Sequence, residues 1–476
     1  MMKEWQTSGA SLTFKEKINM NKQNKTFGNN IKLIGLCMAS FIGCIDFTIV
    51  NTALPAIQQA FHANIMQTQW AITAFIIALC GFMVLMGNLA DKYGPTKILY
   101  IGYLNFLIAS ILAGITTHFF ALILYRFWQG AAGAILYTAT GSIIAATFPV
   151  EVRGKAMGIL SSACGLGLAL GPVFGGLLVG LLNWRWIFFI NIPFILLAGI
   201  FCLAGDRESA NTRHAHQSID YKGAALLLVA LTGFILLLSE TPLLGFQSHL
   251  IQSALVITIL SFILFFIVES KQAQPLINFT FFHNKQFLTG IIANFSLAFF
   301  YCSTFFLMPL YLSQVQHLSD IWVGICLLPA TGLVFLLSPF TGKWTDKNGA
   351  LPVLCIGFLL FLGCSLMQIA LKYHDSLSLA LLSLILFGAG WACILGPANT
   401  TVLSAVPLEK SGNAIGTAWT IHNLGGTVGL SCSVLVFHLS AGISPEFLSG
   451  LQGSMILLAC VSLFTWGTLR YFAPRS

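Results

Sequence analysis

An all-α, polytopic membrane protein with fourteen transmembrane helices is predicted from three features: the composition, the side on which the basic residues fall, and two motifs that each occur twice. Of 476 residues, 57% are hydrophobic and only 8% are charged, against roughly 45–50% and about 25% in an ordinary soluble domain. So few charges cannot coat a globule of this size, so the solvent is a bilayer. A soluble enzyme, a nucleic-acid binder and a disordered scaffold are thereby excluded. The net charge of +8 does not restore nucleic-acid binding, because the basic residues lie along one membrane face.

A membrane-spanning helix needs about 20 mainly apolar residues. Residues 1–32 are polar and lysine-rich, and the apolar run behind them is too long and too far from the start for a cleaved signal peptide. They read as a cytoplasmic tail. Polar breaks and turn residues then separate fourteen apolar segments: 33–54, 69–89, 98–115, 119–147, 156–182, 186–204, 222–240, 250–268, 287–313, 322–341, 351–371, 377–404, 414–438 and 450–471. All 12 cysteines fall in these runs and none forms a CxxC pair, so neither a disulfide framework nor a metal site is expected.

Basic residues test the count independently. With both termini inside, 20 of the 23 Lys and Arg residues fall on the cytoplasmic side, from Lys3 in the tail to Arg207 and Arg213 in the central connection and Arg475 at the end. The opposite side carries Arg185 and Lys372, and Arg126 lies within span four. The positive-inside rule produces this alternation when the count is right; one missed helix would scramble every later loop.

The internal repeats group the spans. Gly87-Asn-Leu-Ala-Asp91-Lys92-Tyr-Gly94 follows span two, and Gly342-Lys-Trp-Thr-Asp346-Lys347-Asn-Gly349 follows span ten; both read G-x-x-x-D-K-x-G, 255 residues apart. Pro149-Val-Glu151-Val-Arg-Gly154-Lys-Ala156-Met-Gly158 and Pro407-Leu-Glu409-Lys-Ser-Gly412-Asn-Ala414-Ile-Gly416 both read P-x-E-x-x-G-x-A-x-G, 258 residues apart. Each copy is read as a cytoplasmic loop eight spans after its partner. The economical arrangement is 6+2+6: a six-helix bundle at 33–204, a cytoplasmic connection at 205–221, two inserted helices at 222–268, a loop at 269–286, a second bundle at 287–471 and a cytoplasmic end at 472–476. Parallel repeats of this kind place a substrate cavity between the halves, near the midplane. No G-x-x-x-x-G-K-[ST] phosphate loop is present, so an ion gradient is the expected energy source and no cofactor is expected.

Asp46 is the one acidic residue placed well inside a span. A carboxylate there costs at least about 2.5–3.5 kcal/mol on insertion scales and normally faces a cavity or a partner. Desolvation favours its protonated form and a nearby cation its ionised form, so such a group can load and release a proton; a structural ion pair is the alternative. Arg126 shares a helix face with Gln129, Gly130 and Gly133; it either pairs with Asp46 or braces backbone carbonyls. In span five, Gly167, Gly171 and Gly175 recur every fourth residue beside Pro172 and Gly176. That stripe permits close helix contact and reads either as tight packing or as a pivot between the halves. His422, followed by Asn423, is either a proton-active group or a packing residue.

These residues together resemble the major facilitator superfamily, in particular its fourteen-span drug/proton antiporters of the EmrB/QacA type. Asp46-Phe-Thr-Ile-Val-Asn51-Thr-Ala-Leu-Pro55 resembles the span-one signature, whose acid is tied to proton coupling and substrate recognition. Gly87 to Lys97 is similar to the loop that stabilises one conformation, although Pro95 and Thr96 stand where basic residues are common. Leu124-Tyr-Arg126-Phe-Trp-Gln129-Gly130 resembles the span-four pattern whose arginine takes part in proton transfer, and Gly167 through Gly176 resembles the antiporter signature. Trp184-Arg185-Trp186-Ile-Phe-Phe-Ile-Asn191-Ile-Pro193 also fits these exporters, whereas His422 stands where many relatives have arginine.

The resemblance implies a major facilitator fold and an inner-membrane exporter of amphipathic compounds, working by alternating access and driven by protons. Asp46 and Arg126 are the expected coupling pair. Asn51, Gln129, His422 and Asn423 are candidates for the cavity wall. Gly87, Asp91, Lys92, Gly94, Asp346 and Gly349 are expected to act in conformational change, as are the span-five glycines. One intramembrane acid favours neutral or monocationic substrates, since a dication would compete with the proton at Asp46. Expected partners are the small-molecule substrate, protons and lipid; a periplasmic adaptor and an outer-membrane channel are left open. The alternatives are export of one endogenous metabolite, peptide or siderophore, and a non-transporting membrane sensor.

Overall fold

The computed structural model describes residues 14–63, 65–205, 219–245, 247–272, 275–372, 376–443 and 447–472. Residues 1–13 of the predicted tail, 206–218 of the predicted connection and 473–476 at the end lie outside the described residues, and with them Lys3, Arg207, Arg213 and Arg475. Among the described residues the chain is helical without strands, and fourteen helices are long and apolar enough to cross a membrane. In chain order they are α1 (Phe14–Phe61), α2 (Ile65–Tyr93), α3 (Pro95–Ile115), α4 (Phe119–Thr147), α5 (Val150–Leu181), the pair α6 (Trp186–Phe189) and α7 (Asn191–Gly205), α8 (Tyr221–Leu244), α9 (His249–Glu269), α10 (Lys285–Gln314), α11 (Asp320–Asn348), α12 (Ala350–Ala370), α13 (Leu377–Ser404), α14 (Ser411–Ile443) and α15 (Phe447–Phe472).

α4 and α13 begin and end where their apolar segments do. Most of the others outrun theirs at one end or both, and the repeated motifs are corrected accordingly. The two G-x-x-x-D-K-x-G segments are not loops: α2 continues through Asp91 and Lys92, and α11 through Asp346 and Lys347. Hydropathy marks where side chains leave the apolar zone, whereas the backbone ladder runs on until a residue breaks it. Gly94 and Gly349, at φ 95° and 80°, are those breaks, in a region that suits glycine. Span six is split for a comparable reason. Pro193 has no N–H to bond four residues back, so Trp186–Phe189 cannot continue in register and α7 restarts at Asn191.

α1 packs between α5 and α7, α2 lies against α4, and α3 covers α4. Further along, α10 packs on α13 and α14, and α12 lies between α13 and α15. The two sets meet along α2–α14 and α5–α11, while α8 and α9 form a hairpin resting on α2.

Candidate functional site

Asp46 and Arg126 are brought into contact. Asp46 on α1 and Arg126 on α4 are 0% and 1% exposed, and Arg126 Nη1 donates to Asp46 Oδ2 at 2.5 Å. A buried pair offsets its desolvation only when further hydrogen bonds satisfy both ions, and here they do. Asp46 Oδ1 accepts from Gln129 Nε2 and from Asn191 Nδ2, each at 2.9 Å. Arg126 Nη1 also reaches Gln129 Oε1 at 2.6 Å, its Nε donates to the Ala71 carbonyl at 3.0 Å, and its guanidinium lies 4.2 Å from the Phe75 ring centroid. Both readings of Arg126 therefore hold in one geometry: it pairs with Asp46 and braces a carbonyl of α2. Ser110 on α3 closes the cluster, accepting from Gln129 Nε2 at 2.9 Å. An apolar group that includes Ile45, Ile49, Trp184 and Phe188 lies alongside.

Asp46 lines neither of the two cavities between α1, α5, α10, α13 and α14. The larger, about 460 Å³, is walled by Asn51, Thr48, Pro172, Tyr301, Phe305 and Trp391 among others. The smaller, about 40 Å³, holds His422 and Asn423 on its wall, with Tyr137 and Trp419. Phe47, Leu168, Tyr301 and Trp391 border both. Tyr301 stacks on Trp391 with centroids 4.7 Å apart and planes 14° from parallel. No Asp, Glu, Lys or Arg lines either cavity. Of the four residues expected on the cavity wall, Asn51, His422 and Asn423 are there. Gln129 is not: its amide spans Arg126, Asp46 and Ser110, which holds it inside the ionic cluster. His422 Nδ1 lies 3.1 Å from the Asn294 carbonyl. A carbonyl only accepts, so Nδ1 carries the proton.

The repeated motifs meet crosswise. Asp91, at the end of α2, accepts from the backbone N–H groups of Gly412 and Asn413 at the start of α14, both at 2.7 Å. Asp346, at the end of α11, accepts from Gly154 and Lys155 at the start of α5, at 2.6 and 2.7 Å. A helix N-terminus has N–H groups without intrahelical partners and a positive dipole end, and each carboxylate supplies both deficits. The helices can come this close because Gly87 abuts the Gly412 carbonyl and Gly342 abuts the Gly154 carbonyl, so a Cβ at either glycine would collide with backbone. Lys92 faces its neighbour Tyr93, 5.2 Å from the ring centroid.

Of the span-five glycines, 167, 171 and 175 press against α1 at Phe41, Thr48, Ile49 and Thr52. The stripe thus packs α5 on the helix that carries Asp46, not across the α5–α11 seam, which uses Gly154, Gly158 and Gly165. Gly176 joins neither face; a Cβ there would meet open space.

Two residues of the cluster had no assigned role in the sequence. Asn191 stands in the exporter-like run Trp184–Pro193 without a role of its own, and a polar residue at that depth two places before a proline was the available signal. Ser110 gave none, because serines in membrane helices commonly bond back to their own helix.

Comparison with known proteins agrees with this architecture. The sequence model of the Major Facilitator Superfamily matches residues 36–430. The chain is 32% identical over 421 residues to the riboflavin transporter RibZ of Clostridioides difficile, covering 88% of this chain and 90% of that protein. It is 28% identical to the tetracenomycin C resistance and export protein of Streptomyces glaucescens, covering 87% and 77%, and 29% identical to the multidrug export protein EmrB of Haemophilus influenzae, covering 85% and 80%. The crystal structure of the human organic anion transporter MFSD10 superposes with a TM-score of 0.64 at 15% identity, covering 93% of this chain and 99% of that one, which is a likeness of fold.

Proposed function

The chain belongs to the Major Facilitator Superfamily, a family of transporters rather than enzymes, and from that premise we propose that it is a proton-coupled exporter of amphipathic compounds working by alternating access. The observation that carries the proposal is Asp46: fully buried, with a carboxyl group that accepts from three donors. Proton binding would discharge the carboxylate and release Arg126, so the cluster has two states of different charge at the junction of α1, α2, α3, α4 and α7. Spans one to six and nine to fourteen act as the two moving bundles, with α8 and α9 inserted between them. Both termini and the docked ends of α2 and α11 face the cytoplasm of a bacterial inner membrane. The cross-docked Asp91 and Asp346 then hold the cytoplasmic side shut, leaving the 460 Å³ cavity toward the outside. Export is favoured over uptake because relatives over most of the chain are named for drug export or resistance.

The test is ethidium efflux and proton movement in inverted vesicles, wild type against Asp46→Asn. Coupled efflux that the substitution abolishes supports the proposal; coupling left intact by Asp46→Asn overturns it. One relative favours a second reading. RibZ is named for transport of a single vitamin and is covered for 90% of its length, which fits a narrow cargo. Vesicles that move protons with one metabolite and with no drug would decide for that reading.

A further inference from the structure

The Asp46 cluster satisfies one protonation state and leaves one atom over. Arg126, Gln129 and Asn191 all donate to the carboxylate, which is complete when ionised. A protonated Asp46 would present an O–H, and the cluster must then supply an acceptor. Gln129 Oε1 is already taken by Arg126. Asn191 Oδ1, on a side chain with no exposure, is buried without a hydrogen-bond partner. An unsatisfied buried acceptor costs about 1–3 kcal/mol, so its presence beside a buried carboxyl group calls for a reason.

We infer that Asn191 is a positioning residue that reads the protonation state of Asp46 by turning its side-chain amide over. This rests on the proposed role of Asp46 in proton coupling. With Asp46 ionised, Asn191 Nδ2 donates to Oδ1 of the carboxylate. When a proton adds to that oxygen, rotation about the terminal side-chain bond exchanges Nδ2 for Oδ1, and the amide accepts the new O–H. The long Nδ2 contact to Ser110 is given up in the exchange, and Arg126, freed from the discharged carboxylate, keeps the Ala71 carbonyl, Gln129 and the Phe75 ring. Asn191 can turn because its only other contact in the cluster is a long one to Ser110, at 3.4 Å. It is also the first residue of α7, directly after the break that Pro193 enforces, so the amide state bears on a helix start as well as on a carboxyl group.

The surroundings isolate the effect. Arg126 on α4 is the charged side chain that contacts Asp46. The other elements present groups that do not titrate: the Ala71 carbonyl and Phe75 from α2, Ser110 from α3, Phe188 from α6, and the glycine face of α5 against α1.

Infrared difference spectroscopy of the purified full chain, titrated in lipid nanodiscs, needs no knowledge of the cargo. The protonated carboxyl band that disappears in Asp46→Asn belongs to Asp46. In Asn191→Leu, which fills the space without hydrogen bonds, the ionised form loses a charge-assisted donor. The titration midpoint of that band is then expected to move up by about one pH unit, and its C=O frequency to rise as the O–H loses its acceptor. Asn191→Ser, a smaller change that keeps a donor and an acceptor, should fall between the two and serves if the leucine variant does not fold. A midpoint and frequency unchanged in both variants overturns the inference while leaving Asp46 in place. If no band is lost in Asp46→Asn, the underlying reading of Asp46 fails instead, and with it this one.

Discussion

Gly130 on α4 lies against the Phe75 carbonyl on α2; 258 residues on, Gly388 on α13 lies against the Ala330 carbonyl on α11. The cross-docked carboxylates repeat in the same way, Asp91 on the start of α14 and Asp346 on the start of α5. In these backbone contacts the first six spans and the last six therefore repeat one pattern. Their interiors differ. At the offset that carries Gly130 to Gly388, Asp46 becomes Thr304 and Arg126 becomes Leu384. Phe300 stacks on Phe361 there at 4.1 Å, and Phe361 on Phe387 at 5.6 Å. Among the described residues no Asp, Glu, Lys or Arg is buried in α10–α15. The difference teaches that close backbone approach can be inherited by both halves while a buried ion pair is confined to one, with the other filling the same place with stacked rings.

The most forceful way to break this comparison is to remove one member of the ion pair. Arg126→Leu leaves a buried carboxylate without its cation and is expected to cost about 3–5 kcal/mol in unfolding free energy. Changing Asp46→Leu and Arg126→Leu together should restore most of that loss, since apolar replacement of a buried pair is often neutral, while coupled transport stays absent. The matching change in the second half, Thr304→Val, removes a buried hydroxyl that already lacks a partner and should fall within about 1 kcal/mol of wild type. Thermal unfolding in detergent measures all three. A loss at Thr304 as large as that at Arg126 would mean that the halves do not differ in the way their residues suggest.

A smaller effect is expected where the halves agree. Asp91→Asn and Asp346→Asn each weaken a carboxylate docked on a helix start, a half-buried contact worth about 1 kcal/mol. Each should therefore raise the share of molecules open at that face roughly fivefold. Spin-label distances between the ends of α2 and α14, and of α5 and α11, report the two seams separately. Matching shifts would sharpen the twofold plan; a shift in only one variant would show that one seam dominates.

How far the sequence could be read follows from what each residue announces by itself. Asp46 and Arg126 stood out because a charge in an apolar run is expensive wherever its partner lies. That they touch could not be read, since helix spacing places a residue on a face and not beside another helix. Asn191 and Ser110 are neutral and common in membrane helices, so only the fold reveals that they complete the carboxylate's shell. The four motif copies were legible as repeats. Their crosswise docking was not, because Asp91 and Gly412 are 321 residues apart and nothing local couples them. Gln129 was misplaced on the cavity wall because a helix face shared with Arg126 fits a cavity and a buried cluster equally well.

The finest test of the comparison lies at His422, the one buried titratable side chain that the second half places on the smaller cavity's polar wall beside Asn423. Its Nδ1–H to the Asn294 carbonyl is a bond that an asparagine amide can reproduce, so His422→Asn keeps the tie between α14 and α10 while removing a group that could take a proton. If coupling belongs to Asp46 alone, proton movement per cargo molecule and the pH profile of transport stay as in wild type. What changes is the contact with Trp419 and Tyr301, whose rings lie 4.9 and 5.6 Å from the imidazole. Losing one ring of that group should raise KM about threefold, in keeping with the modest worth of a single aromatic contact. A variant that instead loses its pH dependence would place a proton-carrying group in the second half as well.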